Sequence, residues 1–303
     1  MLLTGISAAF FPKMKKYNRI LVLFIALIMF IPASSQSQNR KRVNTLLNLY
    51  GQTAYSYFLS ANRPGFGVDA YTLEKGKGSI SAGISYGDEV IDIPVSFSYG
   101  ITDNLEISGG LSPFTESYNF AGSKISGLGD SYTSLKYSFL ESDHFIHAFQ
   151  FLVKLPTASS SKELGTGKTD LCFGLAQAYA YRNFGYDLSI ELNLLNRRDF
   201  PSSKKYPPII QNKLDSVKSQ YNYTFEPELV ISGGPSFEFS NYISGYAGYS
   251  FQRNTRLNYN SSSIYGGFGF VAGKRLGISI GGSYGLEEAG TWGVSGGLNY
   301  SLF

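Results

Sequence analysis

From residue 91 to residue 101 the chain alternates without a break. Ile91, Ile93, Val95, Phe97, Tyr99 and Ile101 fall on one parity, and Asp92, Pro94, Ser96, Ser98 and Gly100 on the other. Successive side chains of an extended strand point to opposite faces, so this stretch has one apolar face and one polar face. The same period returns at 78–86, 186–196, 243–251 and 276–286. Weaker versions lie at 105–114, 127–140, 145–156, 169–182, 221–239, 263–272 and 291–303. Twelve strands are therefore expected, many of them longer than the roughly five or six residues usual in a soluble sandwich. Long strands with a single apolar face point to an all-β fold, a transmembrane antiparallel up-and-down β-barrel of outer-membrane type.

The connections sort by length. Short turns fall at 102–104, 141–144, 183–185, 240–241 and 273–275, and long loops at 115–126, 157–168, 198–220 and 253–262. Strict alternation of short and long is the pattern of such a barrel, with tight periplasmic turns, longer outer loops and both termini on the periplasmic side. The connections at 87–90 and 287–290 are short exceptions. The apolar face must meet lipid, because Lys or Arg at the bilayer midplane costs about 2–4 kcal/mol. Tyr86, Tyr99, Tyr181, Tyr186 and Tyr284 lie near strand ends, where an interfacial aromatic girdle would use them. Gln177 interrupts the apolar face, and a bulge that shifts its register is expected there. Composition agrees: 23 Phe, 23 Tyr and 34 Gly with a mean hydropathy of -0.08 suit neither a helical membrane bundle nor a disordered chain.

Ahead of the strands, Lys13, Lys15, Lys16 and Arg19 precede an apolar run at 20–31, followed by Pro32, Ala33, Ser34, Ser35 and Gln36. The run is short of the ~20 residues a spanning helix needs, so residues 1–35 read as a secretory signal cut before Gln36, with Met14 as an alternative start. Residues 36–77 read as a periplasmic lead-in or partial plug, and 78–303 as the barrel. Of the 26 Lys/Arg, four lie in the signal, which contains no Asp or Glu; 22 of each sign remain. The basic balance thus belongs to the signal, and nucleic-acid binding loses its support. Cys172 stands alone, without a disulfide partner or a lipid-accepting position after the apolar run.

Two stretches resemble catalytic chemistry and fail on spacing. Gly165-Thr166-Gly167-Lys168-Thr169 lacks the first glycine of a phosphate-binding loop, having Lys162 in that place, and opens no helix. His144 and His147, three apart, face opposite sides of a strand and make neither a metal pair nor a catalytic dyad. No catalytic, metal or cofactor residue is assigned, and an enzyme is not expected. The inward parity instead collects charge: nine acids (Asp92, Glu106, Asp130, Asp170, Asp187, Glu191, Glu226, Glu228, Glu238) and four bases (Lys136, Lys154, Arg182, Arg197). Asp92, Glu106, Lys136, Lys154, Asp187, Glu191, Glu226 and Glu228 are the expected lumen lining. They read either as a cation-favouring passage or as a cross-braced, closed interior. Inward positions of the last three strands are nearly all Gly or Ser, leaving a low wall.

Three stretches together resemble the barrel family known as the meta-pathway of phenol degradation, loosely called outer-membrane transporters. They are Asn62-Arg63-Pro64 with Leu73-Glu74-Lys75-Gly76; Gly127-Leu128-Gly129-Asp130 with Leu135-Lys136-Tyr137; and Val153-Lys154-Leu155-Pro156-Thr157 leading to Gly165-Thr166-Gly167-Lys168-Thr169-Asp170. Channels for hydrophobic compounds with an N-terminal hatch are more distantly similar, with more strands. The resemblance implies passive uptake of small, aromatic or hydrophobic compounds across the cell outer membrane. The alternative is a structural or accessory barrel with a closed lumen, acting through partner contacts. Expected partners are outer-membrane lipid, lipopolysaccharide against the basic loop 198–220, and the barrel-assembly machinery through the final strand ending at Phe303.

Overall fold

The computed structural model describes residues 69–302, apart from 88–89, 119–122, 143, 160–163, 165–166, 196–225, 255–258, 274 and 287–291. The residues read as a signal peptide, most of those read as a lead-in, the loop 198–220, Arg197 and Phe303 lie outside the described residues. The strands are β1 (Gly78–Gly87), β2 (Val90–Thr102), β3 (Leu105–Tyr118), β4 (Lys124–Gly127), β5 (Ser131–Glu141), β6 (Phe145–Leu155) and β7 (Asp170–Tyr181). They continue as β8 (Phe184–Leu195), β9 (Glu226–Ser240), β10 (Ile243–Asn254), β11 (Tyr259–Ala272), β12 (Leu276–Gly285) and β13 (Trp292–Ser301).

Twelve of these form the barrel. Each pairs antiparallel with its sequence neighbour, and β1 closes on β13 from Ser79 opposite Ser301 to Gly87 opposite Gly293. The inner side of that seam carries a hydrogen bond from Asn299 Nδ2 to Ser81 Oγ, 2.7 Å long. The thirteenth strand corrects the expectation of one continuous strand over 127–140. Among the described residues β4 pairs only with the outer end of β3, residues 128–130 leave the ladder although Gly129 N still donates to Ser112 O, and β5 begins at Ser131.

Parity follows the alternation. Ile80, Ile84, Phe97, Ile107, Leu135, Leu192, Ile280 and Leu298 are exposed on the outer surface, while Ser79, Ser85, Ser98, Ser108, Ser134 and Ser232 are buried on the inner one. This inversion, serines inside and isoleucines outside, suits lipid as solvent. The five girdle tyrosines are all exposed, and Tyr86 meets Trp292 edge to face at 5.4 Å. Tight turns at 103–104, 182–183 and 241–242 share one end of the barrel with Leu302, whose N–H donates to Gly78 O at 2.8 Å. Short turns mark the periplasmic end.

Gln177 stays on the outer face. Its pairings to His147 and Leu188 run in unbroken register, so the expected bulge is absent there; the irregularity lies two strands away on β5, between Ser138 and Leu140. The misfit is instead a polar pair, because His147 lies directly opposite Gln177. The His147 ring is covered by Phe139 and Phe145, with centroids at 6.2 and 6.5 Å, and neither ring nitrogen has a hydrogen-bond partner.

Two substitutions test this assignment of faces. Ile280→Arg, mid-strand on the outer face of β12, should cost about 2–4 kcal/mol in urea titrations of folding into vesicles. The neighbouring inward Ser279→Arg should cost about 1 kcal/mol or less. Replacing the unpartnered imidazole, His147→Leu, should stabilise the barrel by about 1 kcal/mol in the same assay.

Candidate functional site: an asymmetric lumen

Residues 69–77 run along the inner wall at the tight-turn end. Gly76 N donates to Gly100 O at 2.8 Å, and Gly100 N donates to Lys77 O at 2.9 Å. The approach requires glycine at 100, since a Cβ there would overlap the carbonyls of Leu73 and Glu74. Thr72 Oγ1 donates to Asp103 O at 2.9 Å and Lys75 N to Asp103 Oδ1 at 3.0 Å, tying the segment to the β2–β3 turn. Ala70 and Tyr71 pack onto Ala148, Ala176 and Ala178, a bed of small side chains on the inner face of β6 and β7. Burial first, then the negative charges of Asp187, Asp69 and Glu238, push the Tyr71 phenol well above its usual range. The phenol stays neutral.

Two lysines organise the charge. Lys136 Nζ lies 2.8 Å from Asp69 of the N-terminal segment and 3.6 Å from Glu106 of β3, whose Oε2 also accepts from Leu73 N at 2.9 Å. This clamp joins wall to segment. Nearer the outer end, Lys154 Nζ lies between Asp170 and Asp130, the latter at 3.3 Å, and Asp130 Oδ1 accepts from Ala158 N at 2.9 Å. Each ammonium answers two carboxylates, which leaves each clamp with net negative charge.

Of the expected lining, Asp92, Glu106, Lys136, Lys154, Glu191 and Glu228 are buried on the inward parity, and Asp187 is half-buried on it. Glu226 begins β9; its side chain lies outside the described residues. Asp92 is held by Ser112 at 3.1 Å and Thr115 at 2.5 Å. Ser189 bridges Glu191 and Ser232, and Asn193 Nδ2 donates to Glu228 Oε1 at 3.3 Å. Register places Glu106, Lys136, Gln150, Gly174 and Glu191 in one row across β3, β5, β6, β7 and β8. Among the described residues, no three His, Cys, Asp or Glu side chains converge as a metal would need.

The opposite wall differs. The inward Ser279, Gly281, Ser283, Gly293, Ser295 and Gly297 of β12 and β13 are half-exposed, in contrast to the buried serines of β3 and β5. Tyr246 and Tyr265 lie beside this wall with ring centroids 6.4 Å apart and planes tilted by 49°. A Cβ at Gly267 or Gly281 would come within 2.8 or 2.6 Å of Tyr246 Oη, and one at Gly248 would run into the Tyr265 ring. Glycine thus gives the tyrosines their resting places. Asp69, Tyr71 and Tyr246 were missed in the sequence. Tyr246 was legible, since Ser244, Tyr246, Gly248 and Ser250 alternate inward; Asp69 and Tyr71 carried no period to read.

The family described as "Putative MetA-pathway of phenol degradation" matches residues 61–301. The chain belongs to that family. Among solved structures, the COG4313 outer membrane channel from Pseudomonas putida F1 is similar with a TM-score of 0.53 and 13% identity, over 77% of this chain and 98% of that one. The NanC porin (TM-score 0.51, 8% identity, 74% and 100% covered) and the KdgM porin (0.51, 8%, 74% and 99%) share the fold as well. No curated protein matches the sequence. The chain is a closed antiparallel β-barrel of the outer-membrane type. The stretches that carried the resemblance now have a physical role: they supply Asp130, Lys154 and Asp170 to one clamp, and Lys136 with the segment around Leu73 to the other.

Removing the joining lysine should free the N-terminal segment. Lys136→Met leaves Asp69 and Glu106 buried without their cation and should destabilise the barrel by about 3–5 kcal/mol in urea. Trypsin should then cut faster after the exposed Lys75 and Lys77 than it does in the wild type.

Proposed function

We propose that the protein is a passive outer-membrane channel, taking up small compounds along the Gly/Ser side of an acid-biased lumen. The reading is carried by the asymmetry of the interior. Charge clamps and residues 69–77 fill the side formed by β3, β5, β6 and β7, while the inward faces of β12 and β13 are solvent-reachable and bear nothing larger than serine at the half-exposed positions named above. A fully cross-braced accessory barrel would have no use for that difference.

Carboxylates outnumber the lysines that answer them, so the passage favours cations over anions of equal size. Tyr246 and Tyr265 border it with flat apolar surface, which suits planar molecules, and the family description, tied to phenol degradation, agrees with small aromatic compounds.

Purified protein in planar lipid bilayers should give stepwise conductance, with a reversal potential in a KCl gradient that shows K⁺ preferred over Cl⁻. Glu228→Gln should lower that preference severalfold without abolishing the steps. Absence of steps above an empty-detergent control rules the channel out in favour of the accessory barrel.

A further inference from the structure

We propose that Asp187, with Tyr265, Tyr246 and Tyr71, forms a binding site in the lumen for a small organic cation carrying a flat ring, an aromatic ammonium being the simplest. The proposal deepens the channel reading and rests on it for its physiological meaning.

Asp187 lies on the inward parity of β8, two residues before Ser189 and four before Glu191. Its cross-strand neighbours are Ala178 on β7 and Gly234 on β9, so no bulky side chain flanks it on either side. Beyond Gly234 the wall continues as glycine: a Cβ at Gly234 would overlap Ala247 O and approach the Gly248 Cα. Gly248 in turn pairs with Tyr265 on β11, whose ring lies back over Gly248 toward β9. A carboxylate and a phenol ring therefore face one another across a floor of two glycines. Tyr246 extends the aromatic surface away from the carboxylate. Tyr71, seated against Ala178, closes the site on the other side, where the charge of Asp187 acts on it.

Seven of the other acids have partners. Asp69, Glu106, Asp130 and Asp170 hold lysines, Asp92 takes two hydroxyl donors, Glu191 one hydroxyl, and Glu228 an amide. Asp187 has no hydrogen-bond donor and no ion-pair partner among the described residues, yet it remains half-exposed inside the barrel. A carboxylate removed from bulk water and left without a donor is costly, and a cation offsets that cost. Lys136 cannot serve, because it is engaged by Asp69 and Glu106. The tyrosine faces add cation–π attraction and select a flat ligand over a compact inorganic ion.

The test is calorimetric titration of the full-length barrel in detergent micelles with benzyltrimethylammonium, and with benzoate as the anion of like size. Wild type should bind the cation and give no heat with benzoate above a micelle control. Asp187→Asn should weaken cation binding about tenfold or more, and Tyr265→Leu about threefold to tenfold. Asp187→Glu, which keeps the charge, should retain binding, and heat-modifiable gel mobility reports whether each variant is folded. Equal binding of benzoate, an unchanged constant in folded Asp187→Asn, or no cation binding by ~10 mM overturns the site. If Asp187→Asn does not fold, the wild-type contrast between the two probes decides alone. Binding in micelles needs no open pore. A barrel that binds the cation but passes no current would sink the channel reading only, and a conducting barrel without the preference would sink this site only.

Discussion

A backbone inside a bilayer has no water to satisfy its N–H and C=O groups, and everything else in this molecule depends on that constraint. It is met by closure: β1 pairs along its length with β13, so the twelve-stranded sheet of the barrel has no open edge. Closure fixes the parity of every strand. Once one face must meet hydrocarbon, the other must line a lumen, and each serine, lysine and carboxylate of alternate position is carried inward whether or not it has a partner there. The charged interior is a consequence of the outer surface.

How the interior disposes of that charge divides it into two sides. On one side, lysines sit between pairs of carboxylates, and Lys136 binds the N-terminal segment to the wall, with Gly100 and the alanine bed making room for it. On the other side, glycine and serine leave the wall low, and tyrosines lie down on the glycines. The same small residues thus serve two ends. Under β6 and β7 they accept another part of the chain, and along β12 and β13 they leave space beside a flat aromatic border. Asp187 stands between the two sides.

The barrel and its faces were legible because period two is a local property, written in adjacent residues such as Ile91 to Ile101. The split of 127–140 into β4 and β5 was not, since Leu128 to Asp130 leaves the ladder through glycine and a clamp that forms only in three dimensions. Gln177 was seen as a misfit from parity alone, but its explanation needed the neighbouring strand, where His147 stands opposite in register. The lining residues could be read by parity, whereas their partners could not. Nothing in the sequence joins Asp69 to Lys136 across 67 positions, or aims Tyr246 at Gly281 two strands away.

A one-sided passage is tested most directly by thiol accessibility during current recording. In a Cys172→Ser background, single cysteines at Ser279 on the low wall and at Ser134 on the clamped side would be exposed to a membrane-impermeant methanethiosulfonate. Ser134 is buried, its Oγ 2.6 Å from that of Ser108. Transport along β12 and β13 requires rapid modification and stepwise loss of current at position 279, with position 134 protected. Protection of both positions, or modification at 279 that leaves the current unchanged, would contradict it.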